Sequence, residues 1–385
     1  MKHESTEIIE YLRTLPNIKK THFSESSKKL LTKLIGLFTE GSNAFPHIQI
    51  NKTISANNKD TCDNYVPKEI QAIIKQQNKQ KTHFQFAVRD RRINLSLYHF
   101  ENISEALIKQ HVKRIFIWLH TAIHFAHAKC SRVLKINIYF TKARKGFPSA
   151  KMPIHPVHAN SAFTTSCSSE TEINVFREEE WFKVLIHETF HCLGLDFSEM
   201  NREDSNAHVL RILPVSSDVR LYETYCETWA ETINVLIIAF LSTRSDNIVK
   251  ILDKAEKMIH YERLFSLSQC VKVLKHYHLS YDDLHKKDAQ SHAKRTANYK
   301  EETQVLSYYI IKCIFMFHIN EYIEWCISNN GEALNFRKTP GTIRRYVGLL
   351  ESLYLNAEFL SCIKLFENIS TKNTSTSLRM SAWEL

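Results

Sequence analysis

Apolar residues recur at helical spacing over most of the chain. A first helix is predicted over residues 26–38, with apolar positions at Leu30, Leu31, Leu34, Ile35 and Phe38. A longer helix is predicted to begin at Ser104, whose side chain can cap it, and to end near Ala128. From Arg220 onward the pattern is nearly all helical, up to a Ser/Thr-rich tail at 371–380 that we expect to fray.

A smaller part of the chain alternates apolar and polar residues as β-strands do. Residues 84–88 and 93–100 predict a hairpin. Further short extended segments are expected at 136–141, 162–166 and 173–176. Residues 41–66 are polar and irregular, which predicts a loop. The fold class expected is therefore α+β and mainly helical.

The amino-acid composition excludes some classes of protein. Hydrophobic residues make up 43% of the 385 positions, so wholesale disorder is excluded. The net charge of +10 permits attraction to nucleic acid but does not specify it. Apolar runs such as 235–241 are far shorter than the roughly 18 residues that a membrane span needs, so no membrane association is expected.

The cysteines predict a compartment. There are 9, an odd number, and no two of them form a CxxC pair. We expect reduced thiols in a reducing compartment, and therefore a cytoplasmic rather than a secreted protein.

The strongest chemical signal is the HExxH motif of His187, Glu188 and His191. Two histidines four positions apart lie on one side of a helix, where both can reach one Zn²⁺. Glu188 is then placed to act as general base on a metal-activated water. The preceding residues 181–186 indicate a buried helix, which would not carry these side chains without partners. The competing interpretation is a helix whose histidines and glutamate are hydrated.

A catalytic zinc site needs a third protein ligand and an open position. A longer motif would place a histidine at 197, but that residue is Phe197, and Asp196 is one position out of register. A downstream helix carries three carboxylates on one stripe: Glu223, Glu227 and Glu231. It continues into the apolar run 233–240, so these carboxylates need a metal or basic partners. The competing interpretation is that these three glutamates form a solvated acidic face of the helix.

The HExxH motif followed by Glu227-Thr-Trp-Ala-Glu231 resembles the gluzincin clan of zinc metallopeptidases. This resemblance implies Zn²⁺ as cofactor, Glu227 as third ligand and Glu231 as the acid that orients a ligand histidine, with Glu223 as the alternative register. It also implies a zincin-like fold in which residues 160–163 form an edge strand that pairs with an extended peptide.

The same resemblance suggests a division of the chain. Residues 1–81 are expected to form a helical extension. Residues 82–200 would form an upper lobe with a small sheet and the HExxH helix, and residues 201–385 a helical lower lobe that supplies the third ligand. Substrate would bind in the cleft between the lobes.

A peptidase also needs a donor for the oxyanion that develops on the substrate. Tyr308 is the predicted catalytic donor, with Tyr309 and His208 as alternatives. Residues 187–198 and 307–312 are also similar to uncharacterised metallopeptidase-like proteins of large nucleocytoplasmic DNA viruses, which would place the protein in host cytoplasm or a virion.

The sequence therefore predicts a zinc metallopeptidase that acts on a peptide or protein substrate. The alternative is a non-catalytic zinc-binding protein, or a basic viral protein that binds nucleic acid or another partner. The intact general base Glu188 favours the enzyme, because a structural zinc site does not need it. The net charge of +10 is the only feature that favours the alternative.

Overall fold

The computed structural model describes residues 3–56, 65–76, 80–150, 152–243, 247–369 and 377–384. The α-helices, in chain order, are α1 (His3–Thr14), α2 (Glu25–Ala44), α3 (Lys68–Gln76), α4 (Glu105–Phe125), α5 (Pro156–Ala159), α6 (Trp181–Cys192), α7 (Glu203–Ile212), α8 (Leu221–Ser242), α9 (Ile248–His276), α10 (Tyr281–His285), α11 (Ala289–Asn298), α12 (Lys312–Phe317), α13 (Ile319–Asn329), α14 (Pro340–Leu353) and α15 (Ala357–Glu367). A 3₁₀ turn spans Phe45–His47, and a π-helical turn, Leu306–Ile311, leads into α12.

One mixed sheet contains the strands β1 (Asn51–Ala56), β2 (Gln80–Val88), β3 (Arg91–His99), β4 (Val133–Tyr139), β5 (Ala162–Thr164) and β6 (Glu170–Val175). Their order across the sheet is β1-β2-β3-β4-β6-β5. The three central strands β3, β4 and β6 are parallel, and the outer pairs are antiparallel. The predicted hairpin is β2 and β3, and β5 lies at one edge of the sheet.

Helices cover both faces of this sheet. On one face α4 and α6 pack together, and Trp118 Nε1 of α4 donates to Thr189 Oγ1 of α6 at 2.8 Å. The predicted cap of α4 is confirmed, because the Ser104 side chain accepts from the Leu107 amide. On the other face α3 buries Ile70 against the strands. No helix within the described ranges combines the length and apolar composition that crossing a bilayer requires.

The remaining helices, α8 foremost, pack beyond α6. One hydrophobic core runs from Ile9 in α1 to Trp383 near the carboxyl terminus, and includes residues of all three predicted segments. The segment 1–81 also departs from the expected helical extension, because β1 lies within it and joins the sheet. The prediction of a loop at 41–66 is wrong for residues 51–56, which form this strand. Residues 57–64 of that loop lie outside the described residues.

A disulfide joins Cys130 and Cys167, whose Cα atoms are 4.9 Å apart. The expectation that every cysteine is reduced is therefore wrong for this pair. The two residues precede β4 and β6, which are neighbouring parallel strands and so begin side by side. Six other cysteines of the described chain are free thiols, and Cys62 lies outside it. The reducing compartment stays a prediction, with less support than the sequence suggested.

The chain's last described segment, residues 377–384, is buried instead of frayed. Glu180 Oε1 accepts the backbone amides of Met380 at 3.0 Å and Ser381 at 2.6 Å. Glu262 Oε1 accepts the hydroxyl of Ser381 at 2.6 Å. The prediction of a frayed tail is wrong for this part, because buried carboxylates of α9 and of the start of α6 bind its main chain. Residues 371–376 lie outside the described chain.

The buried carboxyl of Glu262 makes stability depend on pH. Burial raises the pKa of Glu262 to about 7, although hydrogen bonds from Ser381 and Ala382 oppose the rise. A proton bound in the fold but not in the unfolded chain stabilises the fold. That stabilisation is complete below the ordinary pKa of 4.5 and is lost as the pH rises through about 7.

We therefore predict that wild-type protein loses up to about 3 kcal/mol relative to Glu262→Gln between pH 4.5 and pH 8, since one pKa unit corresponds to about 1.36 kcal/mol. Denaturant unfolding of both proteins across this pH range measures the difference. Glu358→Gln, at an exposed glutamate of α15, is the reference substitution. A stability difference between wild type and Glu262→Gln that stays constant with pH would contradict the prediction.

Candidate metal centre

The HExxH residues lie on α6, whose described side chains are almost all buried. The helix ends where Gly194 adopts a left-handed conformation with φ +66°. A side chain there would also approach Cys130, because a Cβ atom on Gly194 would lie 3.0 Å from its Sγ atom. His187 and Glu188 are 6% and 9% exposed, so this helix is not the solvated one of the competing interpretation.

The three predicted carboxylates lie on α8, which packs against α6. Glu223, Glu227 and Glu231 are 8%, 1% and 0% exposed. The stripe is therefore an interior face of α8, and a solvated acidic surface is excluded. Each carboxylate requires a partner in this setting, because an unpaired buried charge is strongly destabilising.

Three donor atoms converge between α6 and α8. The Nε2 atoms of His187 and His191 are 3.2 Å apart. Glu223 Oε2 lies 3.0 Å from the first of these nitrogens and 3.5 Å from the second. Two imidazoles and a carboxylate form the donor set that zinc prefers in catalytic sites.

The second nitrogen of each imidazole faces another carboxylate. His187 Nδ1 is 2.8 Å from Glu227 Oε2, and His191 Nδ1 is 2.5 Å from Asp196 Oδ2. Such contacts fix the ring orientation and tautomer of histidines that bind metals, and leave the opposite nitrogen free to coordinate. Cys226 Sγ lies 3.7 Å from Asp196 Oδ2, on the same side of His191.

Each of the two deeper carboxylates faces a buried lysine. Lys183, one turn before His187 on α6, donates from Nζ to Glu227 Oε1 at 2.5 Å. Lys312 Nζ of α12 lies 2.8 Å from Glu231 Oε1. The three carboxylates on α8 thus have different partners, and Glu223 is the one that faces both histidines.

The charges of these groups shift one another's pKa values. Burial lowers the pKa of His187, but hydrogen bonds to Glu223 and Glu227 outweigh it and raise the pKa to about 9. Burial raises the pKa of Glu223, yet the nearby charges of His191 and His187 hold it well below its usual range. For Glu188 burial prevails, and its pKa is raised despite both histidines.

A narrow cleft opens onto His187 and Glu188, whereas His191 and Glu223 are not among its lining residues. It is lined by Lys145, Ala159, Asn160, Ser161, Ala162, Lys183, Val184, His187, Glu188, Glu227, Tyr308 and Met380. Its cavity volume of about 50 Å³ has room for one or two water molecules, each of which occupies roughly 30 Å³ in the liquid. Residues 159–162 lead into β5, so the edge of the sheet forms one wall of the cleft.

The third-ligand assignment differs between sequence and structure. The resemblance assigned this role to Glu227, whereas the structure places Glu227 on Nδ1 of His187 and Glu223 beside both Nε2 atoms. Glu227 as ligand stays a prediction against which these contacts argue. Glu231, predicted to orient a histidine, lies beside Lys312.

The candidate oxyanion donors lie in different places. Tyr308 lines the cleft and donates its hydroxyl to Glu223 Oε2 at 3.0 Å. Tyr309 donates to the Leu378 carbonyl instead, and His208 Nε2 lies 3.2 Å from Glu351 of α14. Of the three candidates, only Tyr308 is among the lining residues of the cleft.

Sequence reasoning missed several residues around the histidines. From the sequence, Asp196 is only a potential metal ligand that lies one position out of register. Lys183 and Lys312 lie in apolar stretches of helix, and a lysine in such a stretch is a signal that it pairs with a buried acid. That signal predicts pairing but does not say which carboxylate is the partner.

Comparison with known proteins does not assign the chain to a family or a function. No family profile, curated protein or solved structure matches the chain. The functional argument therefore depends on the geometry of the site alone.

The buried ion pair of Lys183 and Glu227 leads to a prediction about stability that does not depend on the function of the protein. Replacing Lys183 by Met leaves Glu227 buried with less charge compensation, and breaking a buried pair in this way costs about 3–5 kcal/mol. The control is Lys142→Met, because Lys142 is 56% exposed and pairs with Glu178 at 2.8 Å. Exposed pairs contribute about 0–1 kcal/mol. Denaturant unfolding of the two variants measures both losses, and equal losses would contradict the buried pairing.

Proposed function

We propose that this protein is a zinc-dependent metallopeptidase whose metal ligands are His187, His191 and Glu223. The observation that carries the proposal is the convergence of His187 Nε2, His191 Nε2 and Glu223 Oε2, separated by 3.0, 3.2 and 3.5 Å. The opposite nitrogen of each imidazole is already occupied by a carboxylate. This arrangement favours a metal site over a set of ordinary ion pairs.

The residues present fit a zinc ion in chemistry and in spacing. Ligand atoms at tetrahedral zinc lie about 3.3–3.5 Å apart when the bonds are about 2.0–2.2 Å long. The observed separations of 3.0, 3.2 and 3.5 Å lie within or slightly below this range. With three protein ligands, one position is left for water or substrate, as in catalytic zinc sites. A structural site would instead have four protein ligands.

A bound zinc ion supplies Lewis acidity that polarises a carbonyl and lowers the pKa of water. Glu188 takes the proton of the attacking water on its carboxylate, and the water oxygen bonds to the carbonyl carbon of the peptide. Glu188 then gives that proton to the amine nitrogen as the carbon–nitrogen bond breaks. Its place in the cleft lining supports this double role.

Other residues hold the site in place. Tyr308 donates to Glu223 Oε2 and so fixes the orientation of the carboxylate that we propose as ligand. Its position in the cleft wall also supports the predicted role as oxyanion donor. The chain from Lys183 through Glu227 to His187 orients the first histidine.

The edge strand supports a peptide as substrate. β5 pairs with β6 on one side only, and no other strand of the described residues lies on its outer side. An extended peptide could add to this side with main-chain hydrogen bonds. Residues 159–162, just before and within β5, line the same cleft as Glu188, which would bring a scissile bond beside the general base.

Metal content tests the ligand set. Wild-type protein should hold about one zinc per chain, and His191→Ala and Glu223→Ala should hold none. Glu227→Gln should weaken zinc binding by about 10–100-fold, because it disturbs a ligand only indirectly. Metal analysis and competition with a chelator measure stoichiometry and affinity. The control is Glu231→Gln on the same stripe of α8, which should bind zinc as tightly as wild type.

The opposite order of zinc affinities in the two variants would reverse the assignment of the third ligand. Strong zinc loss in Glu227→Gln together with retention in Glu223→Ala would make Glu227 the ligand. Equal zinc content in wild type and His191→Ala would remove the site altogether.

Catalysis is tested separately from metal binding. Glu188→Gln should keep its zinc and lose on the order of 10²–10⁴-fold in peptide hydrolysis, because glutamine preserves the shape of the side chain but cannot accept the proton. Cleavage of a peptide library, followed by mass spectrometry, measures activity beside metal content. The matched control is Glu203→Gln on the exposed side of α7. Full activity in Glu188→Gln would refute its role, and a wild-type protein with zinc but no hydrolysis would favour the non-catalytic alternative.

A further inference from the structure

We infer that Met380 is a specificity-determining residue of this cleft, a fixed wall that restricts the substrate to small side chains beside the scissile bond. The inference rests on the proposed peptidase function and adds a substrate class to it: peptides with Gly, Ala or Ser at the position that faces Met380. The structural basis is the contact of the buried segment 377–384 with the cleft.

Met380 comes from the far end of the chain but lines the cleft beside the candidate centre. It shares the cavity with Lys183, His187 and Glu188, and it is 4% exposed. Its Sδ atom lies 3.8 Å from Lys183 Nζ. The side chain therefore forms part of the cleft wall beside Lys183, in the first turn of α6.

The backbone of Met380 is held on both sides. Its amide donates to Glu180 Oε1 at 3.0 Å, and its carbonyl oxygen accepts from Lys312 Nζ at 3.3 Å. The next amide, of Ser381, donates to the same oxygen of Glu180 at 2.6 Å. Glu180 and Lys312 are themselves buried, so moving this segment aside would remove hydrogen bonds from two buried charged groups.

The size of the cavity sets the limit on the substrate. Its volume is about 50 Å³, which is less than two water molecules occupy in the liquid at roughly 30 Å³ each. The side chains of Gly, Ala and Ser have at most two heavy atoms, whereas branched and aromatic side chains have three or more and exceed this space. A side chain too large for the cavity would hold the scissile bond away from Glu188, and a misplacement of about 1 Å can cost about 10²-fold in rate, so a fixed wall at this place gives selection by size.

The experiment enlarges the cavity by substitution and measures which substrate side chains are accepted beside the cleaved bond. Cleavage of a library of proteome-derived peptides is profiled by mass spectrometry for wild type and Met380→Ala. Wild type should cut almost only where a small residue adjoins the bond. Met380→Ala should raise cleavage beside Leu and Phe, relative to Ala, by at least about 10-fold.

Met258→Ala is the matched control. Met258 is also 4% exposed, and its carbonyl accepts from Trp383 Nε1, so it too contacts the buried segment but does not line the cleft. Its substitution should lower stability and leave the size profile unchanged. If Met380→Ala does not fold, Met380→Val removes less volume and should shift the profile in the same direction.

A second readout does not depend on turnover. Fluorescein-labelled hexapeptide pools with either Ala or Leu at one fixed central position are titrated, by fluorescence anisotropy, into Glu188→Gln protein with and without Met380→Ala. The pool with Ala should bind better to Glu188→Gln, and Met380→Ala should bring the affinity for the Leu pool to within about 3-fold of the Ala pool.

The outcomes separate this inference from the proposed function. Hydrolysis with the same size profile in wild type and Met380→Ala overturns the inference alone. A uniform rise in rate for all peptides in Met380→Ala also overturns it, because the segment would then act as a displaceable plug. If the binding preference shifts as expected but wild type hydrolyses no peptide, the role of Met380 is supported and the proposed peptidase function is contradicted. No binding and no hydrolysis contradict both.

Discussion

The structure depends on matching every charge that α6 and α8 bury against each other. Both helices are apolar, and together they enclose two histidines, a lysine and several carboxylates. Each carboxylate on the α8 stripe has its own partner, from the histidine pair at Glu223 to Lys312 at Glu231. Because unpaired buried charges cost several kcal/mol, this pairing also fixes the register of the two helices. The convergence of donor atoms at Glu223 is a consequence of that register.

The same requirement explains why the end of the chain lies inside the molecule. Glu180 and Glu262 are buried near the start of α6 and in α9, and backbone amides of residues 380–382 bind them. A segment held in this way is part of the interior, and its side chains shape the cleft as permanently as those of a helix. The candidate site is thus assembled from distant parts of the sequence: α6, α8, the π-helical turn, the edge strand and the last described residues.

Local patterns predict many of the helices and strands and single out the candidate site residues, but they do not predict how the elements meet. The hairpin, the cap at Ser104 and the burial of the HExxH helix follow from spacing and polarity within a few residues. The choice between Glu223 and Glu227 depends on a shift of one helical turn, about 5.4 Å, which periodicity leaves open. The disulfide of Cys130 and the burial of Met380 depend on contacts between residues far apart in the chain. The sequence does not predict β1 because most of its residues are polar, and residues 51–55 are exposed in the structure.

The central claim is that His187, His191 and Glu223 hold one zinc ion. Anomalous diffraction at the zinc absorption edge from crystals of zinc-loaded protein tests it most directly, because it locates the metal without reference to activity. The account predicts a single strong peak bonded to both Nε2 atoms at about 2.0–2.1 Å and to the Glu223 carboxylate at about 2.0–2.2 Å. A peak bonded to Glu227 instead, a peak at the Nδ1 side of His191 near Asp196, or no peak between α6 and α8 would contradict it.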